Sequence, residues 1–504
     1  MDARKQHPPW AIELSLAADH VPLLLRHPAL REAGSQRPSR ASKLSLTWFD
    51  TADGALTADG VCLSRQEDSQ GIVWLRERMV PDGSGVSPPG TPPALIARMS
   101  EKPAAPSLLL PVAAFEGTIR DLTAPDAELR VSVLQGELRA VAATRQVCRV
   151  VITDTHAGDH DVARALALDW ADTNAMSVAD QTLAADALTL AGRVPPLRPL
   201  GAPSLRPAMR VGDSFAHVVG HLAGVIGHHA SRVQNDTGPE PVHQMRVALR
   251  RLRSAVLLFR RAVACPALAD VSQRLKQLGI VLGPPRDWDV FTLGTGRDIA
   301  LAFPHDAAVA TLLAAAERRR RAGYAALNLY LASPAWRQLG VALVHLATAC
   351  PWQHVSLEDS DKAVRHAELQ QSDITAFATR ALGKRLVAVV APGHDISGLD
   401  SHALHEIRLK GKRLRYAAEF FAPLFPGGAT RRFLRRMTAL QERLGLLNDG
   451  AVAARLMHDL PGRSGAHHYA IGVVQGFVAA RATGGKRKIV RSWQRFLKQD
   501  PFWA

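Results

Sequence analysis

The chain contains two stretches that repeat one another, HQMRVALRRLRSAVLLF at 243–259 and HEIRLKGKRLRYAAEFF at 405–421. The offset between them is constant throughout (405 − 243 = 162). Neither stretch contains proline, and Gly411 is their only glycine, so each is predicted to form a helix of several turns. At about 100° per residue, positions +0, +3, +7 and +10 of each copy fall on one narrow stripe of the helix surface.

The stripe carries only basic side chains, while the opposite face is apolar. The stripe residues are His243, Arg246, Arg250, Arg253, His405, Arg408, Lys412 and Arg415. Arg251 and Arg413 flank the stripes at about +80° and are second-tier candidates. Like charges at these spacings destabilise a helix by a few tenths of a kcal/mol per pair. Their duplication in register therefore favours an anion-binding face over a merely solvated one.

A second duplicated element follows each helix. LGPPRDWDV begins at Leu282 and LGLLNDGAV begins at Leu444, and the interval from the histidine is the same in both copies (282 − 243 = 39 and 444 − 405 = 39). A repeat of roughly 150 residues predicts two bundles of about four helices related by a pseudo-two-fold axis. Asp287 and Asp449, within this element, are predicted to cap or lock a helix end rather than to do chemistry.

These motifs, together with the closing Pro501–Trp503, resemble the conserved histidine α-helical domain, CHAD, over about residues 208–503. The resemblance implies a double four-helix bundle whose basic faces bind inorganic polyphosphate, and association with polyphosphate granules. The stripes alone indicate only a polyanion. Nucleic acid is the less favoured partner, because aromatic residues make up 5% of the chain and neither stripe interleaves them.

The charge distribution also points to a polyanion. The net charge is +16, yet residues 1–200 are net negative, so the excess of positive charge lies entirely in the remainder. The four scattered cysteines predict neither a zinc site nor a disulfide framework and fit a reducing cytoplasm. The opening MDARKQHPPW does not resemble a signal peptide, and no membrane contact is expected.

The N-terminal part of the chain, 1–200, has a different pattern, of short β-branched or alternating segments separated by turns, which predicts an antiparallel β-barrel flanked by helices. Ser177–Ala191 is predicted to be one short helix. The chain is thus predicted to be an α+β multidomain protein. Its expected parts are a barrel at 1–194, a Pro-rich linker at 195–207 and a helical domain at 208–504, with repeats at about 208–345 and 370–504.

The segments IELSL at 12–16, TWFDTADGALTADGVCLS at 47–64 and WLRERM at 74–79 resemble the CYTH family of triphosphate tunnel enzymes. That resemblance implies a barrel whose interior holds carboxylates for a divalent metal and basic residues for a triphosphate. It raises an alternative function, metal-dependent hydrolysis of triphosphate or polyphosphate.

The family's metal-binding pattern is mostly missing. Its Glu-x-Glu-x-Lys motif reads Ala11-Ile12-Glu13-Leu14-Ser15, and its later glutamate strand reads VCRVV at 147–151. The retained candidates are Glu13, Arg76, Arg78, Glu116, Arg120 and Glu128. One or two carboxylates hold a divalent metal only weakly, so we expect a CYTH-like barrel without catalysis, metal or cofactor.

Other basic and histidine clusters are weaker signals. Arg432 and Arg436 are added to the polyphosphate-binding candidates, while Arg318–Arg321 is interpreted as a solvated face. His217, His221 and His228 share a helix face without the Glu of a metalloprotease motif and are interpreted as a polar or packed helix face rather than as metal ligands. His243 and His405 are predicted to donate hydrogen bonds to phosphate rather than to act as bases, since Gln244 and Val247 supply no orienting carboxylate for His243.

Overall fold

A computed structural model of the chain describes residues 10–26, 41–79, 89–92, 94–100, 108–123, 128–156, 158–193, 200–233, 238–355, 360–462, 464–482 and 485–503. Within these ranges, residues 94–96, 123, 360, 401, 446–451, 481–482 and 485–486 are described by their backbone alone. The first part of the predicted linker, 195–199, and the side chain of Asp449 lie outside what is described.

Over the described ranges, the N-terminal part is an antiparallel sheet of nine strands in the order β5-β4-β3-β2-β6-β7-β8-β1-β9. The strands are β1 Trp10–Ser15, β2 Ser42–Thr51, β3 Val61–Asp68, β4 Gly71–Arg78, β5 Ala94–Met99, β6 Leu109–Thr123, β7 Leu129–Ala140, β8 Ala143–Asp154 and β9 Ser177–Val178. A backbone hydrogen bond from Glu13 N to Gly90 O (2.6 Å) brings the chain before β5 back to β1, so the sheet curls towards closure.

Among the described residues, four α-helices accompany the sheet: α1 Val21–Leu24, α2 Ala55–Ala58, α3 Asp161–Thr173 and α4 Leu183–Leu190. Helix α3 packs on one face of the sheet, and α4 covers the other face through Leu183, Ala187 and Leu188. The prediction of a single helix over 177–191 was wrong for its first residues, because 177–178 form β9 and pair with β1. Thr182 then caps α4 by accepting a hydrogen bond from Ala185 N.

The remainder is helical. Its helices are α5 Val211–Val233, α6 Glu240–Phe259, α7 Pro266–Val281, α8 Gly283–Val290, α9 Gly296–Ala302, α10 Ala307–Ala332, α11 Pro334–Thr348, α12 Ser360–Gln371, α13 Ile374–Val390, α14 Ser401–Phe421, α15 Gly428–His458, α16 Gly465–Ala482 and α17 Gly485–Leu497. Helices α5, α6, α7 and α11 form one bundle, and α13, α14, α15 and α17 form the other. The predicted fold class, an antiparallel sheet followed by a helical double bundle, is confirmed.

The duplication is visible in where the helices begin. The starts of α13, α14 and α15 follow those of α5, α6 and α7 by nearly the same offset (374 − 211 = 163, 401 − 240 = 161 and 428 − 266 = 162). The copies then diverge for a local reason. Pro284 and Pro285 lack backbone N–H donors and begin a new helix at α8, whereas Leu446 and Leu447 stand at the matching positions and α15 continues unbroken.

Matching phenylalanines from the two copies meet in the core. The ring of Phe259 lies 5.5 Å from Phe215, 5.1 Å from Phe377, and 6.0 and 6.2 Å from Phe420 and Phe421. Phe259 and Phe421 are fully buried. We call the five rings Phe215, Phe259, Phe377, Phe420 and Phe421 the aromatic junction, because they hold α6 against α14 and the helices before them.

Helix α11 belongs to both parts of the molecule. Leu339, Leu343 and Leu346 point into the bundle core, while Val341 and Val344 join the core beneath the sheet. Hydrogen bonds from Trp10 Nε1 to Thr348 Oγ1 (2.8 Å) and from Arg337 Nε to Ala171 O (2.8 Å) accompany this packing. Helix α11 therefore anchors the sheet to the helical part.

The aromatic junction generates a stability prediction. We expect Phe259→Ala to cost about 3–5 kcal/mol, as deletion of a fully buried ring does, and to lower the urea midpoint of the helical signal in circular dichroism. Phe303, which is 37% exposed, gives the matched control, and Phe303→Ala should cost under about 1 kcal/mol. Equal shifts for the two variants would contradict the central role of the junction.

Candidate functional site

The two basic stripes lie on α6 and α14, opposite buried faces. On α6, Met245, Leu249 and Leu252 are at most 3% exposed, and on α14 Ile407 and Leu414 are equally buried. Of the stripe side chains, Arg250, Arg253 and His405 are exposed, while His243, Arg246, Arg408, Lys412 and Arg415 are half-buried. Each stripe therefore lies on the outer side of its helix, opposite the face that packs into its own bundle.

The two stripes converge. Lys412 lies close enough to Arg246 and Arg250 of the other copy that their charges, after burial and the neighbouring Arg408, lower its pKa to about 8. Arg251 likewise interacts with Glu419 and Arg415 of α14, although burial is the main reason that its own pKa is lowered. The aromatic junction therefore brings charges from both repeats onto one shared surface between α6 and α14, which we call the groove.

Arg246 is anchored rather than freely presented to the groove. Its NH1 donates to the carbonyl oxygens of Leu282 and Gly283, both at 3.1 Å, and lies 3.6 Å from Asp287 Oδ1. The second oxygen of Asp287 accepts from Arg455 NH2 at 2.9 Å. Asp287 therefore ties α6 to α15 across the two repeats. Its predicted structural role agrees with these contacts, although an inter-helix ion pair replaces the expected cap.

Two groove residues were missed by the sequence reasoning. Arg286 interacts with His243 and Arg246, and after burial it is the largest charge that lowers the pKa of His243. Arg455 reaches the groove through Asp287. Arg286 lies within the duplicated LGPPRD element, so the sequence alone could have identified it as a candidate. Arg455 gave no signal, because the matching position of the first copy is Leu293.

Acidic side chains neutralise the groove only in part. Glu419 forms an ion pair with Arg415 on the same helix, and Arg415 also stacks over Tyr416 at 4.7 Å. Asp287 serves both Arg246 and Arg455. Among the described side chains, these two carboxylates and Glu240, whose charge acts on His243, face a larger set of cations, namely His243, Arg246, Arg250, Arg251, Arg286, His405, Arg408, Lys412, Arg415 and Arg455. Cations therefore outnumber carboxylates among the described groove residues.

The remaining predicted residues lie away from the centre of the groove. Arg253 lies beside Gly279 of α7: a β-carbon placed on residue 279 would be 3.4 Å from Arg253 NH1. Arg413 is close to Arg385 of α13, whose pKa is lowered first by burial and then by the charge of Arg413. Arg432 is exposed on α15, and Arg436 donates to the carbonyl oxygen of Arg495 at 3.3 Å, which directs it towards α17.

Of the three histidines singled out on α5, His221 is buried and His217 is half-buried, whereas His228 is exposed. Nε2 of His221 donates to the carbonyl oxygen of Gly201 at 3.0 Å, and burial lowers the pKa of His217. Within the described ranges, no group of three or more His, Cys, Asp or Glu side chains is arranged to hold a metal ion.

The covered face of the sheet is occupied by a buried ion network. Glu13 Oε1 lies 3.2 Å from Arg149 Nε and accepts from Leu183 N at 3.0 Å. Arg149 also pairs with Asp186 of α4 and donates to Ser15 Oγ at 2.8 Å. Glu13 is thus engaged by an arginine and covered by a helix.

Other retained CYTH candidates point away from that face. Glu116 and Arg120 alternate with the buried Phe115 along β6 and therefore lie on the opposite side of the sheet. Glu128 pairs with His156 at 2.8 Å near the surface. Sequence reasoning missed Glu77, whose neighbours Arg76 and Arg78 it had retained. Burial raises the pKa of Glu77 to about 7, and its charge affects Glu13 and Cys62.

Comparison with known proteins identifies the helical region. Residues 216–458 match the family model of the CHAD domain. The helical region contains a CHAD domain. CHAD domains in general bind polyanions such as polyphosphate. No curated protein matches the chain significantly.

Solved structures overlap the chain in part. The CHAD domain from the plant Ricinus communis is 27% identical, with 58% of this chain and 95% of that chain covered and a TM-score of 0.47. PptA from Streptomyces chartreusis is 17% identical, with 57% and 100% covered and a TM-score of 0.38. A Bacillus halodurans protein named as an adenylate cyclase is 9% identical, with 32% and 87% covered and a TM-score of 0.23.

Among the described residues, none of the helices combines the length and the apolar composition needed to cross a membrane.

The lowered pKa of Lys412 predicts that anion binding depends on pH. A bound anion favours the charged form of Lys412, so anion binding should raise its pKa from about 8 towards its ordinary value. The protein should therefore take up protons on binding near pH 8–9, and its affinity should fall as the pH rises through that range. Calorimetry in buffers of different ionisation enthalpy measures the uptake, and Lys412→Arg is the control that should abolish it. Identical uptake in both proteins would contradict the placement of Lys412 in the site.

Proposed function

We propose that the CHAD domain of this chain binds inorganic polyphosphate in the groove between α6 and α14. The observation that carries the proposal is the convergence of Arg246 and Arg250 from one repeat with Lys412 from the other. Like charges brought together at a half-buried site are costly without a counter-anion. A multiply charged ligand offsets that cost along the whole length of the groove.

The shape of the charged surface favours a linear ligand. Each stripe spans ten residues of helix, or roughly 15 Å at 1.5 Å per residue, and two such stripes run beside one another. Guanidinium groups bind phosphoryl oxygens through two parallel hydrogen bonds, which suits a chain of successive phosphates. Binding should weaken steeply with salt, because each neutralised phosphate releases counterions.

Nucleic acid is the second candidate partner, and the packing of the aromatic residues disfavours it. The phenylalanines of α6 and α14 are committed to the aromatic junction, and Phe259 and Phe421 are fully buried. Single-stranded nucleic acid is normally bound by stacking bases on accessible rings. A ligand with phosphates and no bases matches the groove better. The proposal extends to a cytoplasmic location at polyphosphate granules.

The binding proposal is tested with the full chain and long polyphosphate in a calorimeter. Arg250→Gln/Lys412→Gln removes one charge from each repeat and leaves the anchored Arg246 in place. We expect affinity to fall at least about tenfold, since hydrogen bonds to charged groups contribute roughly 1.5–3 kcal/mol each.

The matched control is Arg26→Gln/Arg130→Gln, which removes two exposed arginines from the sheet domain and should change affinity less than about twofold. An equal loss in both double variants would reduce the interaction to net charge and contradict the groove. Stronger binding of duplex DNA than of polyphosphate, at equal phosphate concentration, would favour the nucleic-acid alternative.

For the sheet we propose a CYTH-like fold that has lost hydrolytic activity. Support comes from Arg149, which stands where that family has an acidic strand and forms an ion pair with Glu13. A guanidinium at this point disfavours a divalent cation, and α4 fills the face that a triphosphate would need.

The expected outcome is that the full chain releases no phosphate from tripolyphosphate above the rate without protein, with or without magnesium. Glu13→Gln serves as the comparison. Magnesium-dependent release that Glu13→Gln abolishes would overturn the assignment and restore the hydrolase alternative.

A further inference from the structure

The last helix carries a third cationic stripe. Lys488, Arg491, Arg495 and Lys498 occur at +0, +3, +7 and +10, the spacing of the two duplicated stripes, and all four are exposed. Lys498 directly follows α17, and its backbone N–H donates to Gln494 O at 3.3 Å, so the helical turn continues through it. No acidic residue occurs within 485–497.

The opposite face of α17 is firmly packed, which fixes the direction of the stripe. Ile489, Trp493 and Phe496 are at most 2% exposed. Phe496 lies 5.7 Å from Phe433 of α15, and Trp493 Nε1 donates to Gly393 O at 3.1 Å. A helix held so closely by its apolar face presents its basic face outward in a constant orientation.

Helix α15 places a row of arginines alongside this stripe. Arg436 donates to the carbonyl of Arg495 at 3.3 Å, and Arg443 donates to the carbonyl of Lys488 at 3.2 Å and to Ser492 Oγ. Both pairs have the same separation along the chain (443 − 436 = 7 and 495 − 488 = 7), which defines an antiparallel register. One turn before Arg436, the exposed Arg432 is thereby placed towards the Lys498 end of the stripe.

We propose that this α15–α17 face is a second polyanion-binding surface, which takes a further stretch of the same polyphosphate chain that occupies the groove. The inference rests on the proposed function for its ligand. It is carried independently by the repeated stripe spacing and the register of the flanking arginines. Trp493 and Phe496 face inward, so these two rings are not available on this surface for base stacking, and phosphates without bases are the matching chemistry.

With a second surface, the affinity for polyphosphate should depend on the length of the polyphosphate chain. A short chain occupies one surface at a time. A long chain that reaches both gains an intramolecular second contact, so its affinity rises by more than its extra charge alone provides. Arg455 at the groove and Arg443 at the second surface lie on the same helix, about 18 Å apart along its axis at 1.5 Å per residue. Helix α15 therefore links the two surfaces.

The test compares three double variants of the full chain, each losing two positive charges, by titration with long polyphosphate over a range of salt concentrations. Arg491→Gln/Arg495→Gln removes the centre of the α17 stripe and keeps the carbonyl of residue 495 that anchors Arg436. Arg250→Gln/Lys412→Gln removes the centre of the groove. Arg26→Gln/Arg130→Gln is the charge-matched control on the sheet domain. Circular dichroism verifies that each variant is folded.

We expect the α17 variant to bind long polyphosphate about five- to tenfold more weakly than the control. Its plot of log affinity against log salt should be shallower by about 1.4, from two lost phosphate contacts at about 0.7 each. The groove variant should weaken binding further, and the combined four-site variant should lose roughly the product of both effects. Together these results support two cooperating surfaces.

An α17 variant that matches the control in affinity and salt slope would overturn the second surface while leaving the groove intact. An α17 variant that loses binding of duplex DNA but not of polyphosphate would also overturn it, because the occupant would then be nucleic acid. Failure of the unmodified chain to bind polyphosphate at all would instead reject the proposed function, so the two failures are distinguishable.

Discussion

The packing of the aromatic junction is the constraint on which the rest of the helical domain depends. Phe259 of one repeat stacks on Phe377 of the other at 5.1 Å, with Phe420 and Phe421 around it. Burial of rings contributes several kcal/mol each, whereas repulsion between partly solvated like charges contributes far less per pair. Apolar packing therefore determines how α6 and α14 lie against one another. The cationic stripes are held close together despite their mutual repulsion.

Two internal carboxylates make that proximity tolerable. Asp287 bridges Arg246 and Arg455, and Glu419 pairs with Arg415. Partly exposed ion pairs of this kind contribute about 0–1 kcal/mol. They reduce repulsion in the free protein, yet a multivalent anion can compete with them at little cost. The same contacts thus serve folding without blocking binding.

The sequence was sufficient to predict the duplication, the stripes and the fold class, because all three follow from periodicity within single helices. It was insufficient wherever a contact joins distant segments. Arg455 enters the groove only because α15 continues where two prolines interrupt its counterpart. Arg149 acquires its role only because β8 pairs with β1 and α4 closes over both. The α17 stripe has the same spacing as the others, but no second copy in the sequence drew notice to it.

The sheet buries a charge that its own side chains compensate. A buried guanidinium such as that of Arg149 costs several kcal/mol without partners. Glu13, Asp186 and Ser15 supply those partners, so the interior charges stabilise one another. Helix α11 then couples this closed unit to the bundle that carries the groove, since its two faces lie in the two cores. An element with one face in each core resists rotation between them, and the sheet consequently acts as a rigid support for α11 and the bundle it belongs to.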